Sequence, residues 1–174
     1  LQKLLNEQVE ENSFGQRMML FSTYDGWHQS FAGMADSLPF YKAADYESYL
    51  KRLKSYAKYN QQAIAISREA LKKGYVQPCE ALGGFEKTIM GAVEGDPDKT
   101  RFFAPFTRAR PADLTEPQWV AMQAEAAVII ATDLKPEYEG FNNFYLKEYK
   151  PHCRKSIAAS AMPQGADYYA QRAR

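Results

Sequence analysis

Apolar residues recur at steps of three and four along Tyr46, Tyr49, Leu50, Leu53, Tyr56, Ala57, Ile64 and Leu71, and again along Trp119, Met122, Ala126, Ile129 and Ile130. Because a helix turns once in about 3.6 residues, that spacing gathers them on one face and leaves the other polar. No alternating run is long enough to demand a sheet, and no internal repeat or low-complexity tract interrupts the pattern. The expected fold is all-α, an irregular helical bundle around two long amphipathic helices that are kinked or broken.

Local signals set the expected boundaries. A first helix runs from Leu1 to about Asn12, and residues 13–36, with Gly15, Gly26 and Gly33, read as irregular or short-helical. Asp45 is the expected N-cap of the first long helix, and Gly74 its C-cap after Lys72 and Lys73. The polar cluster Asn60-Gln61-Gln62 weakens the pattern and marks a kink or break. A shorter helix spans Glu80–Val93, and the Pro-rich connection that follows should turn Phe102, Phe103 and Phe106 inward. Thr115 and Gln118 form a capping box for a helix starting near Glu116, which Pro136 should kink or break before the spacing resumes through Tyr138, Phe141, Tyr145 and Tyr149. A last helix begins at Gly165.

Charge then separates the two long segments. Residues 45–74 hold seven basic and three acidic side chains, residues 113–149 two basic and seven acidic, so they suit each other as antiparallel neighbours or are simply two solvated faces. Over the whole chain 22 Lys+Arg balance 21 Asp+Glu, which removes the electrostatic footprint of nucleic-acid binding. The longest apolar run, Ala126 to Ala131, falls far short of the roughly 18–20 residues of a membrane span.

Chemistry-bearing motifs are sparse. No HExxH, GxSxG, CxxC or phosphate-binding glycine loop occurs, and neither His28 nor His152 has a carboxylate or second histidine one turn on. His152 beside Cys153 is a weak metal signal. Trp27 and His28, in a glycine-rich stretch, are candidate cleft residues, as are Tyr168 and Tyr169, whose phenols suit a substrate channel; the alternative, commoner for such residues, is a buried histidine and a core aromatic pair. Cys79 and Cys153 are either joined or two buried thiols. The chain starts at Leu1 and stops at Arg174 inside amphipathic patterns, so neither end reads as a natural terminus.

Five ordered blocks carry a resemblance. They are Gly26-Trp27-His28-Gln29-Ser30-Phe31 running through Met34-Ala35-Asp36-Ser37-Leu38-Pro39-Phe40 to Asp45-Tyr46-Glu47-Ser48-Tyr49-Leu50; Gly74-Tyr75-Val76-Gln77-Pro78-Cys79-Glu80; Gly84-Phe85-Glu86-Lys87-Thr88-Ile89; Asp96-Pro97 through Phe102, Phe103, Pro105 and Phe106; and Tyr149-Lys150-Pro151-His152-Cys153-Arg154 through Met162-Pro163 to Tyr168-Tyr169. Together they resemble the bacterial family DUF885, a domain of unknown function, over essentially the whole chain. The resemblance implies that residues 1–174 are the N-terminal helical region of a longer protein, exported to the periplasm or cell envelope and often lipid-anchored. Family members resemble zinc metallopeptidases whose HExxH motif lies downstream of the position of Arg174. The implied role is one wall of a peptide-binding cleft, with no catalytic or metal residue on this chain and no cofactor except zinc in the longer protein. The implied partners are the C-terminal catalytic part and a peptide substrate. A non-catalytic scaffold or binding domain of an envelope lipoprotein is the alternative. An exported location also implies that Cys79 and Cys153 form a disulfide.

Overall fold

The computed structural model describes residues 2–22 and 24–173. Its helices are α1 (Gln2–Ser13), α2 (Trp27–Ala32), α3 (Ala43–Lys72), α4 (Phe85–Met90), α5 (Glu116–Ile129), α6 (Lys135–Phe144) and α7 (Gly165–Arg172), with short 3-10 turns between them. Among the described residues there is no strand, only two isolated bridges, and the molecule is all-α.

The 30-residue α3 is its spine. Its N-cap is Lys42, three residues ahead of the expected Asp45. Asp45 bonds back to the N–H groups of Tyr41 (2.9 Å) and Lys42 (3.2 Å), while the Asp113 carboxylate accepts the Ala43 N–H at 3.1 Å. Two carboxylates thus meet donors that the first turn leaves free. At the other end Gly74, with φ at +82°, lets its own N–H reach Leu71 O (3.1 Å) and the Tyr75 N–H reach Ala70 O (2.9 Å).

The expected break at Asn60 does not occur. Asn60 is fully buried, accepts the Trp27 indole N–H at 2.9 Å and donates to both the backbone carbonyl and a carboxylate oxygen of Glu137, each at 2.9 Å. A polar residue with all these partners is a core residue, so α3 stays continuous.

The second rod, 116–149, also departs from expectation. Pro136 does not break it; the irregularity near it is a π turn at Ile130–Leu134 just ahead of α6, and a second π turn at Tyr145–Tyr149 follows α6. The spacing supplies a reason. Ala126, Ile130, Leu134 and Tyr138 are all buried and four apart. In an α-helix each such step overshoots a full turn by about 40°, so three in succession swing off the core by about 120°. A π turn holds roughly one extra residue and absorbs most of that drift. The second π turn does the same for Phe141, Tyr145 and Tyr149, all buried.

The two rods run parallel, which corrects the antiparallel expectation. Lys54 pairs with Glu125 (2.7 Å), Gln61 with Glu137 (2.9 Å) and Arg68 with Glu148 through two bonds (2.6 and 2.7 Å), so numbers rise together along both. A short loop would force antiparallel neighbours, but residues 73–115 form a long return crossover. That crossover buries Phe102, Phe103 and Phe106, and its carbonyls at Phe102 and Pro105 accept the hydroxyls of Tyr49 (3.0 Å) and Tyr46 (3.4 Å). In place of one helix over 80–93 there is a 3-10 turn at Cys79–Leu82 and then α4, divided at Gly83-Gly84.

Cys79 and Cys153 are joined, with Cα atoms 5.1 Å apart. Beside them the Cys79 N–H donates to Arg154 O (2.9 Å) and the Arg154 N–H to Gln77 O (3.1 Å). The bond closes a loop of 74 positions between the start of the crossover and the end of the second rod. Unreduced, denatured protein is expected to show no titratable thiol, and the Cys79→Ser/Cys153→Ser variant to lose about 2–4 kcal/mol in urea unfolding. Two reactive thiols in the unreduced sample would refute the pairing.

Candidate functional site

The second rod covers one side of α3 and leaves another open. On the open side Tyr59, Gln62, Ala63, Ile66, Glu69 and Lys73 follow one another at helical spacing, and Tyr59 (46% exposed) and Ile66 (43%) are large apolar side chains without full cover. The chain between α1 and α2 forms the facing wall. Arg17, Met18 and Leu20 enclose about 690 Å³ against Ala65, Ile66, Glu69 and Lys73. Leu20 and Ile66 also line an adjoining space of about 400 Å³ with Trp27, Asp25, Ser30, Tyr59 and Ala63. The shared residues make one groove along α3.

Trp27 belongs to this groove. Its position is fixed from behind by the Asn60 bond and by the Phe141 ring, with centroids 4.1 Å apart. His28, next in sequence, does not, and its expected place in a cleft is corrected. Its side chain is fully buried between the rings of Phe85 (5.4 Å) and Phe141 (5.2 Å), and Nε2 lies 3.0 Å from Thr88 Oγ1. Its Nδ1 has no partner among the described residues. Gly26 is what lets the ring in, since a Cβ there would stand 2.8 Å from it. Burial without a counter-charge pushes the His28 pKa down to about 4.

Tyr168 and Tyr169 lie elsewhere, on α7. Tyr168 packs edge-on against Phe14 with centroids 5.5 Å apart, and Tyr169 is exposed. Neither lines the groove, so the four expected cleft residues are not brought together. Arg17, Leu20, Tyr59 and Ile66, which do meet there, were not singled out by the sequence reading. The available signal was Tyr59 and Ile66 themselves, apolar and one heptad apart on α3 but off the stripe that faces the core.

Comparison with known proteins supplies the family. The model of a bacterial protein of unknown function, DUF885, matches residues 1–174. The chain belongs to the DUF885 family. No curated protein and no solved structure matches it. Among the described residues of this DUF885 chain, no helix is long and apolar enough to cross a membrane.

Among the described residues of the DUF885 chain the donor set does not fit zinc. Among the described residues no group of three or more His, Cys, Asp or Glu side chains could hold a metal ion. Both cysteines are in the disulfide, His28 is enclosed by aromatic rings, and His152 Nδ1 lies 2.8 Å from the Glu148 carbonyl, to which it must donate.

Proposed function

We propose that this DUF885 region forms one wall of a peptide-binding cleft in a longer, exported zinc-metallopeptidase-like protein and is not itself catalytic. The observation that carries the reading is the open groove on α3, lined by the apolar Leu20, Ile66, Ala63 and Trp27 and by the charged Arg17, Asp25, Glu69 and Lys73. An apolar floor of this kind gains free energy by taking apolar side chains out of water, and the charged groups orient what lies on it. The floor is rigid because α3 is continuous and Trp27 is tied to Asn60. Zinc and the residues that activate water belong, on this reading, to the C-terminal part, and the periplasm or cell envelope is its compartment.

The test is metal content and peptidase activity of the longer protein beside the 174-residue chain. The longer protein should hold one zinc and cleave members of a random peptide library; the chain alone should hold no stoichiometric zinc and cleave none. A longer protein without metal or turnover would leave it an envelope scaffold. Hydrolysis by the chain alone would overturn its non-catalytic assignment.

A further inference from the structure

The groove is polarised from end to end. At one end Arg17 is exposed and meets no carboxylate among the described residues, while the neighbouring Lys73 and Glu69 neutralise each other at 2.8 Å. At the other end Asp25 is the single charged lining residue; it accepts a bond from Ser22 and meets no cation among the described residues. Arg101, which lines a further hollow together with Asp25 and Ser30, is taken by Asp36. Between the two ends lie Leu20, Ile66, Ala63, Tyr59 and Trp27, with no charge among them.

Length adds a second constraint. From Tyr59 to Lys73 α3 advances fourteen positions, which at 1.5 Å each is about 21 Å. An extended chain rises about 3.3–3.4 Å per residue, so roughly six residues span the groove. We infer that the groove binds a short free peptide of about six residues in one direction, its C-terminal carboxylate at Arg17, its N-terminal ammonium at Asp25 and apolar side chains on Ile66 and Trp27. This rests on the peptide-cleft reading and deepens it, because it names both ligand polarity and the residues that set it. A planar guanidinium suits a carboxylate terminus, and the absence of charge along the floor disfavours a ligand charged at its centre.

The test is calorimetric titration of the 174-residue chain with a hexapeptide of alanines carrying leucine and phenylalanine at its centre. Four forms are compared: free at both ends, C-terminally amidated, N-terminally acetylated and blocked at both. Each single block should weaken binding about threefold to fivefold, the effect of losing one half-exposed ion pair, and added salt should shrink the difference. In Arg17→Ala the acid and the amide should bind alike, and in Asp25→Asn the amine and its acetylated form should. These coupling tests separate a terminus contact from a change in folding, which would move all four forms together. Equal binding of all four forms overturns the polarity and leaves the cleft reading standing. Discrimination that survives Arg17→Ala and Asp25→Asn overturns the assigned residues. No binding of any form, by the chain or by the longer protein, defeats the cleft reading and the inference together.

Discussion

Asn60→Leu is expected to lower the unfolding free energy by about 2–4 kcal/mol, a large effect for one residue in the middle of a helix. Leucine is the better helix former, so propensity alone predicts a small gain. The loss comes from three bonds made in one place: the buried Trp27 indole N–H loses the Asn60 acceptor, and the carbonyl and carboxylate of Glu137 lose a shared donor. An unpaired buried donor costs about 1–3 kcal/mol by itself. Asn60→Asp separates the contributions. It keeps an acceptor for Trp27 but sets a second carboxylate against Glu137, so its deficit relative to the parent should be larger near neutral pH than in mild acid. Urea unfolding curves for the three proteins at two pH values give the answer, and a leucine variant as stable as the parent would show that the bonds do not hold α2 and the second rod to α3.

Acid should remove about 3 kcal/mol through His28 alone. Unfolded, its imidazole titrates at the ordinary 6.5; folded, burial holds it down at about 4. Between those values the unfolded chain binds a proton that the native state refuses, and stability rises with pH wherever that holds. The contribution is therefore complete above about pH 6.5, is lost progressively as pH falls towards 4, and levels off below, where the folded form is protonated too. Carboxylates begin to titrate in the same window, so the quantity to measure is the difference between the parent and His28→Leu. The variant sacrifices the bond to Thr88 but loses the His28 part of the slope between pH 6.5 and 4. An unchanged slope, or a His28 resonance titrating near 6.5 in the native spectrum, would refute the buried neutral state.

The sequence was most informative where the determining interactions are local. The helix start at Thr115 and Gln118 and the inward turn of Phe102, Phe103 and Phe106 need only neighbouring residues to be understood and are as read, while the first long helix is capped one residue earlier than expected, at Lys73, with Gly74 just beyond it. Asn60 shows where such reading ends. Its partners lie 33 and 77 positions away, and in the linear text a polar residue that will be fully bonded looks the same as one that will break the helix. Direction was lost for a similar reason. Complementary charge on two long helices states that they can meet, but only the path of the crossover decides which way each points. The groove was harder still, because it is built from residues that the helical pattern discards. Trp27 was found through its glycine-rich surroundings, whereas Arg17 and Leu20 become part of a site only when the 3-10 turn at Gly15–Met18 is laid beside α3.

The two π turns of the second rod have a consequence for how such a chain can change over time. Deleting one residue from an ordinary helix rotates everything beyond it by about 100° and turns its buried side chains to the solvent. At 130–134 and 145–149 the helix already carries an extra residue in a wide turn, so a single deletion there can be taken up by closing that turn to the α form. The rod therefore has two joints at which chain length and core phase can be traded, one on each side of Pro136. Sequences of this type that differ by one residue in length should differ at those joints before they differ anywhere else along the rod.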